Sequence, residues 1–292
     1  MLCQTSLQLS HRPPMMSALQ LETTVPAEEK PYVDSIREWI FSHTGLHFGE
    51  KKYFTLYRRL QTVCWRMGLA NLQELDRQLR EPGSSQLAVQ VVCAVSTNHT
   101  FFFRELEVLQ QIQTRIVPRL PPNEEWRIWS AAAASGEEAY TLGILLAEAL
   151  GLEYALQKVS ILGTDISHPM IDLAEHGVYD ANRMELAPPD LVKRYFEPVG
   201  LGQWRVIPAL KQMCTFRRMN LQSMPYPFKN PFHVIVCRNV LYYFAVPEQK
   251  RLVEEMYDWT APGGWLITSV TETLSGQSTR WRKVDVGLFR KE

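Results

Sequence analysis

From about residue 125 onward, short apolar runs alternate with helix-like stretches, and no other feature constrains the fold as strongly. Trp126-Arg127-Ile128-Trp129 reads as a strand ending in small residues. Glu137 to Leu150 is helical in pattern. Val159 to Gly163 reads as a strand that ends at Asp165, and Phe232 to Cys237 as another. Pro247 to Thr260 is helical, and Trp265 to Thr268 is a strand after the Pro262-Gly263-Gly264 turn. Strands separated by helices pair in parallel through right-handed crossovers. The expected fold class is α/β, with a doubly wound, mostly parallel, Rossmann-like sheet over residues 125–292.

Upstream the texture is helical. Val33, Ile36 and Ile40 recur at helical spacing beside Trp39, and Phe54, Tyr57, Leu60 and Cys64 form a second stripe. Asn71 is a fitting N-cap for a third helix to Arg80, ended by Pro82-Gly83, and a fourth helix spans Gln86 to Val95. An all-helical N-terminal domain over residues 31–95 is expected, followed by a linker or lid with a helix over 96–124. Residues 1–30 are polar, carry Pro13-Pro14 and show no period, so they read as a disordered arm.

Charge and composition exclude several classes. Lys plus Arg equals Asp plus Glu at 31 each, so no global field recruits nucleic acid. The five cysteines are scattered with no C-x-x-C pair, which fits a reducing cytoplasm better than a disulfide framework. No apolar run is long enough to cross a membrane, and residues 1–20 lack the apolar stretch of a signal peptide. The seven histidines form no H-E-x-x-H or Cys/His array, so no metal is expected.

Ligands of such sheets sit beyond the carboxyl ends of the strands. Ser130 to Glu138 (S-A-A-A-A-S-G-E-E) lets a ligand approach the backbone closely, but it is not the G-x-G-x-x-G of dinucleotide binders. Glu137 and Glu138 oppose a phosphate there and suit a cation; alternatively they only complement the helix dipole. Asp165 can accept ribose hydroxyls, or cap the next helix. Cys237-Arg238-Asn239 followed by Tyr242-Tyr243-Phe244 would make a polar floor with a stacking wall, or contribute core aromatics. Cys237 has no His partner and reads as a buried strand residue. Ser96 to Glu105, with three successive Phe, is either a lid or a plug between domains.

Together these segments resemble the chemotaxis receptor methyltransferases of the CheR type, over Pro31 to Glu292. The T-N-x-T-x-F-F-R-E run of that family is similar to Thr97–Glu105, and its W-S-A-A-x-x-x-G-E-E run to Trp129–Glu138. Its strand-plus-Asp is similar to Thr164-Asp165, its V-x-F-x-x-x-N-L segment to Cys214–Leu221 with Asn220-Leu221 as the matching pair, its F-D-x-I-x-C-R-N-V-x-I-Y-F run to Phe232–Phe244, and its S-E-T-L to Thr271–Leu274. His233 stands in place of the usual Asp after Phe232. Ala139 replaces a common Pro.

The resemblance implies S-adenosylmethionine as cofactor, with Asn98, Thr100, Arg104, Glu138, Asp165, Asn220, Leu221, Arg238 and Asn239 around it. It implies methylation of glutamate side chains on the cytoplasmic domain of a chemoreceptor. A basic helix with Lys51, Lys52, Arg58, Arg59 and Arg66 would dock that partner, or be a solvated face. Arg104 and Tyr243 are the expected catalytic residues, and a monomer is expected. No Pro-Pro follows Asn239, unlike the N-P-P-Y type that grips an amine or amide nitrogen, and this favours oxygen as the acceptor. Two alternatives stand beside this reading: a cofactor-binding signalling scaffold without transfer activity, and a methyltransferase with another acceptor.

Overall fold

The computed structural model describes residues 24–96, 100–274 and 278–292. Asn98 and residues 1–23 of the expected arm lie outside them. Residues 24–30, also expected in that arm, are described. Val25 is buried, and the Glu29 N–H bonds the Pro26 carbonyl as the chain turns into the first helix.

Four helices come first: α1 (Lys30–Thr44), α2 (Glu50–Met67), α3 (Leu72–Leu79) and α4 (Ser85–Val95). Val33, Ile36 and Ile40 form the buried stripe of α1, and Leu56, Leu60 and Val63 that of α2. Asn71 caps α3 by accepting the Glu74 N–H at 2.9 Å, while Glu74 reaches back to the Ala70 N–H at 2.8 Å. Such reciprocal bonds satisfy donors that a helix start leaves unpaired. Next, α5 (Leu106–Gln111) runs on through a π turn at Ile112–Ile116 and a 3-10 turn.

The sheet then builds up through β1 (Trp126–Ala131), α6 (Glu137–Leu150), α7 (Leu152–Lys158), β2 (Val159–Asp165) and α8 (His168–His176). A small antiparallel sheet interrupts it: β3 (Val178–Asp180), α9 (Pro189–Tyr195), β4 (Phe196–Gly200) and β5 (Gln203–Val206), in the order β3-β5-β4. The main sheet resumes with α10 (Pro208–Gln212), β6 (Cys214–Arg218), β7 (Phe232–Cys237), α11 (Val246–Asp258), β8 (Thr260–Ile267), β9 (Arg282–Asp285) and β10 (Leu288–Arg290). Its order is β6-β2-β1-β7-β8-β10-β9, parallel through β8, with β10 and β9 antiparallel. Pro262-Gly263-Gly264 lies inside β8 rather than before it. The pairing jumps from Phe232↔Thr260 to Val234↔Trp265, so the extra residues are absorbed as an irregularity of the strand.

Side chains alternate across a strand, and the core divides accordingly. Ile128, Val234 and Val236 pack on the α6 face of the sheet, whereas Trp129, Ile235 and Cys237 pack on the α11 face. The second core includes Val33, Ile36, Leu56 and Leu60, so the N-terminal helices share a core with that face. The chain leaves β1 for β2 on one side and returns to β7 on the other. That reversal opens a crevice beyond the carboxyl ends of β1 and β7.

Candidate functional site

Two adjoining cavities fill this crevice. The larger, about 680 Å³, has apolar walls from Leu46, Ile166, Leu221 and Phe244, with Asp165, Asn220 and Asn239 among them. The smaller, about 480 Å³, is polar and includes Thr100, Arg104, Glu138 and Arg238. Ala132, Ala134 and Asn239 line both, so the two form one trough. Thr44, Leu46, Val95 and Ser96 close it from the N-terminal helices; of these only Ser96 belongs to the segment that the sequence offered as a lid.

The floor is the loop after β1. Ala132 and Ala134 adopt left-handed backbone at φ 64° and 47°, which favours glycine and is held here by the surroundings. Asp165 does much of the holding: its carboxylate accepts the Ala134 N–H at 3.0 Å and the Ser167 N–H at 2.8 Å. Each carboxylate oxygen has a second lone pair, so capacity for two ligand hydroxyls remains. Burial raises the Asp165 carboxyl against the pull of these backbone bonds. A Cβ at Gly163 would meet the Phe216 ring at 2.5 Å and Ala133 Cβ at 3.2 Å, so only glycine lets β2, β6 and this loop approach so closely.

The two adjacent acids have separate tasks. Glu137 is fully buried and turned from the trough: Ser135 Oγ donates to both its oxygens, and Arg183 pairs with it. Arg183 also donates to the Thr100 carbonyl at 3.2 Å, and the Tyr179 hydroxyl to the Ser135 carbonyl at 2.6 Å. Glu137 thus ties the small sheet to the floor loop. Glu138 lines the trough, accepting Ser130 Oγ at 2.8 Å and Arg238 Nη1 at 3.0 Å. Burial raises its carboxyl, opposed chiefly by the Arg238 charge.

Arg238 is almost wholly buried between Glu138 and Glu105, at 3.0 and 3.4 Å. Its Nη2 donates to the Arg104 carbonyl at 2.6 Å, while its Nε is buried without a partner among the described residues. Asn239 is left-handed at φ 58° and donates from Nδ2 to Glu105 at 2.8 Å. Glu272 accepts the N–H groups of Asn239 and Leu241, each at 2.7 Å. Neither Glu105 nor Glu272 was expected as a site residue. Their only sequence signal is membership of the quoted runs.

Phe102 and Phe103 are buried, with Phe102 edge-on to Tyr179 and Phe196 at 4.9 Å. They plug the core, whereas Thr100, Phe101 and Arg104 of the same run line the smaller cavity. Arg104 lies close enough to Glu138 and Tyr242 for its charge to act on both. Tyr243 lines the larger cavity, and the Lys52 ammonium sits 4.5 Å from the centre of its ring. Asn220 lines it too, but its amide is partly committed: Nδ2 to the His43 carbonyl, Oδ1 to the Gln222 N–H. Cys237 is buried and its thiol is pushed far up, which removes it as a nucleophile.

The basic residues of α2 differ in their surroundings. Arg59 turns inward and donates to the Val95 carbonyl at the end of α4 at 2.5 Å, and Lys52 packs over Tyr243 and Tyr242. Lys51, Arg58 and Arg66 are exposed, as is Trp65 at 81%.

Chemically, the smaller cavity offers the Glu138 carboxylate for a cation and the Arg104 and Arg238 side chains for an anion. It suits a zwitterionic, amino-acid-like end. The larger cavity offers apolar walls with a carboxylate for hydroxyls, which suits a nucleoside. S-adenosylmethionine joins these two parts through a sulfonium, so the residues present fit it.

Comparison with known proteins agrees. Residues 98–288 match the family described as CheR methyltransferase, SAM binding domain. A chemotaxis protein methyltransferase of Borreliella burgdorferi is 30% identical, with 81% of this chain and 86% of that protein covered. Chemotaxis protein methyltransferase 2 of Pseudomonas aeruginosa is 35% identical over 85% of this chain and 89% of its own length. One from Vibrio parahaemolyticus is 29% identical over 90% of this chain and 96% of its own. The chain therefore belongs to the CheR methyltransferase family, and its cofactor is S-adenosylmethionine.

Proposed function

We propose that this chain acts in chemotaxis by methylating glutamate side chains on the cytoplasmic domain of a chemoreceptor, giving glutamate methyl esters. The names of the relatives support the setting. The observation that carries the acceptor reading is the grouping of Arg104, Tyr243 and Lys52 around the two cavities. Two cations beside a phenol suit an incoming carboxylate.

When bound, the cofactor would supply an electrophilic methyl group on sulfur: the acceptor oxygen gains the methyl carbon as the carbon–sulfur bond breaks, and S-adenosylhomocysteine is left. In this reading Asp165 takes the ribose hydroxyls, and Asn220 and Leu221 border the base. Glu138, Arg238, Asn239 and Thr100 surround the amino-acid end. Asn98 keeps the cofactor role that the family resemblance implies. An acceptor glutamate of ordinary pKa, about 4.3, is already ionised near neutral pH, so no base has to remove a proton. The work left to the protein is alignment and exclusion of water. Arg104 orients the acceptor carboxylate, or the carboxylate of the cofactor, through charge-assisted bonds. Tyr243 bounds the path of transfer. Lys51, Arg58 and Arg66 would meet an acidic partner, with Trp65 beside them.

The test is transfer of labelled methyl from S-adenosylmethionine to a purified chemoreceptor cytoplasmic domain. Label on glutamate that mild alkali releases as methanol is the expected result. Alkali-stable label would mean a nitrogen acceptor. Cofactor binding without transfer to any receptor domain would leave a signalling scaffold.

A further inference from the structure

Two carboxylates from loops far apart in sequence, the half-buried Glu105 and the buried Glu272, converge on Asn239. Glu105 lies at the end of the Thr100–Glu105 run and Glu272 in the loop after β8. Glu272 accepts the backbone N–H groups of Asn239 and Leu241 at 2.7 Å and of Ser269 at 3.3 Å. It thereby caps the short turn Leu241–Tyr243. Glu105 accepts Asn239 Nδ2 at 2.8 Å and the Val270 N–H at 3.3 Å, and faces Arg238. Glu105 is itself left-handed, at φ 49°.

We propose that Glu105 and Glu272 are positioning residues that set Asn239, and through it the seat of the cofactor. Asparagine adopts the left-handed region more readily than other non-glycine residues, so φ 58° is open to Asn239, and its neighbours decide whether it is held there. Glu272 supplies that constraint by drawing the N–H groups on either side of Val240 to one carboxylate. Glu105 then fixes the amide: a carboxylate accepts only from nitrogen, so Nδ2 is held toward it and Oδ1 is left for a ligand donor. Asn239 belongs to both cavities, so an error in its backbone misplaces the wall at their junction. Because Tyr243 follows in the same capped turn, the constraint extends toward the transfer site. The inference rests on the cofactor and is independent of the acceptor.

The experiment is a double-mutant cycle on S-adenosylhomocysteine affinity, by calorimetry on the full chain. Glu272→Gln puts an amide nitrogen where two N–H groups need an acceptor, and should weaken binding at least about tenfold. If Glu272 acts through Asn239, Glu272→Gln combined with Asn239→Ala binds within about threefold of Asn239→Ala alone. Glu105→Ala should be equally non-additive with Asn239→Ala, and Glu105→Gln, which keeps an acceptor for Nδ2, should restore binding. This second arm decides the matter should Glu272→Gln not fold. Wild-type affinity in both Glu272→Gln and Glu105→Ala overturns the proposal, as do fully additive losses, which would mean general damage to the fold. Failure of receptor methylation alone, with the cycle intact, would strike the proposed acceptor and not this inference.

Discussion

His233 is the second residue of β7, a strand buried along its whole length, and the structure gives it a defined protonation. Nδ1 accepts the Arg127 N–H at 3.0 Å, so in the neutral ring the proton is on Nε2, which faces Glu124 at 3.4 Å. Burial lowers the His233 pKa, opposed chiefly by Glu124; the Arg127 charge and the Arg127 N–H, which needs the lone pair of Nδ1, also favour the neutral ring. The unfolded chain takes up a proton near pH 6.5, where the folded protein still resists it. Stability from this group is therefore complete above about pH 6.5 and falls as pH drops below it, by at most about 1.4 kcal/mol per pH unit. Chemical denaturation between pH 5 and 8 should show that loss, and His233→Asn, which keeps a neutral acceptor, should remove it; identical slopes would sink the assignment. At this scale the sequence was only partly legible. Glu137 and Glu138 are neighbours of one type, and composition cannot tell which rotates toward Arg183 and which into the trough. Glu105 and Glu272 act across 167 residues of chain, a closeness that only the folded topology creates.

Among the elements, α2 carries the clearest prediction. Its stripe of Leu56, Leu60 and Val63 faces the core, so the opposite side meets solvent, with Trp65 exposed among the cations there. Not every cation on it is available to a partner, because Arg59 is spent on the Val95 carbonyl. Reversing Arg59 would uncap α4 and confuse docking with stability. Arg58→Glu with Arg66→Glu is the clean variant. It should raise the KM for a receptor domain about tenfold or more at low salt, with a smaller difference at high salt, and leave S-adenosylhomocysteine affinity unchanged. An unchanged KM would make this a solvated face. Long periodic elements such as α1, α2 and α6 were legible because one buried stripe repeats over several turns. The sheet β3-β5-β4 was not. Its strands have three to five residues, and Pro198, Gly200 and Gly202 interrupt their alternation. β9 and β10 are as short, and Pro262-Gly263-Gly264 reads as a turn although β8 absorbs it.

For the molecule as a whole, the trough belongs to two parts of the chain at once. Sheet loops supply its floor, and the turn after α1 supplies a wall. That turn is locked onto the Tyr243 segment: the His47 N–H donates to the Tyr243 carbonyl at 2.7 Å, and Leu46 forms an isolated bridge with Phe244. Gly45, at φ 71°, turns the chain out of α1 through a left-handed conformation that glycine adopts without strain. A ligand that fills the trough must then tighten the helical wall as well as the sheet loops. Ligand at a hundred times its Kd stabilises the folded state by about 2.7 kcal/mol. Amide hydrogen exchange can localise that gain. With saturating S-adenosylhomocysteine, the amides of Leu46 and His47 should exchange more slowly, together with those of Ala132 to Gly136. Protection confined to the sheet loops would mean that the ligand does not use the helical wall, and that the N-terminal helices serve the partner alone.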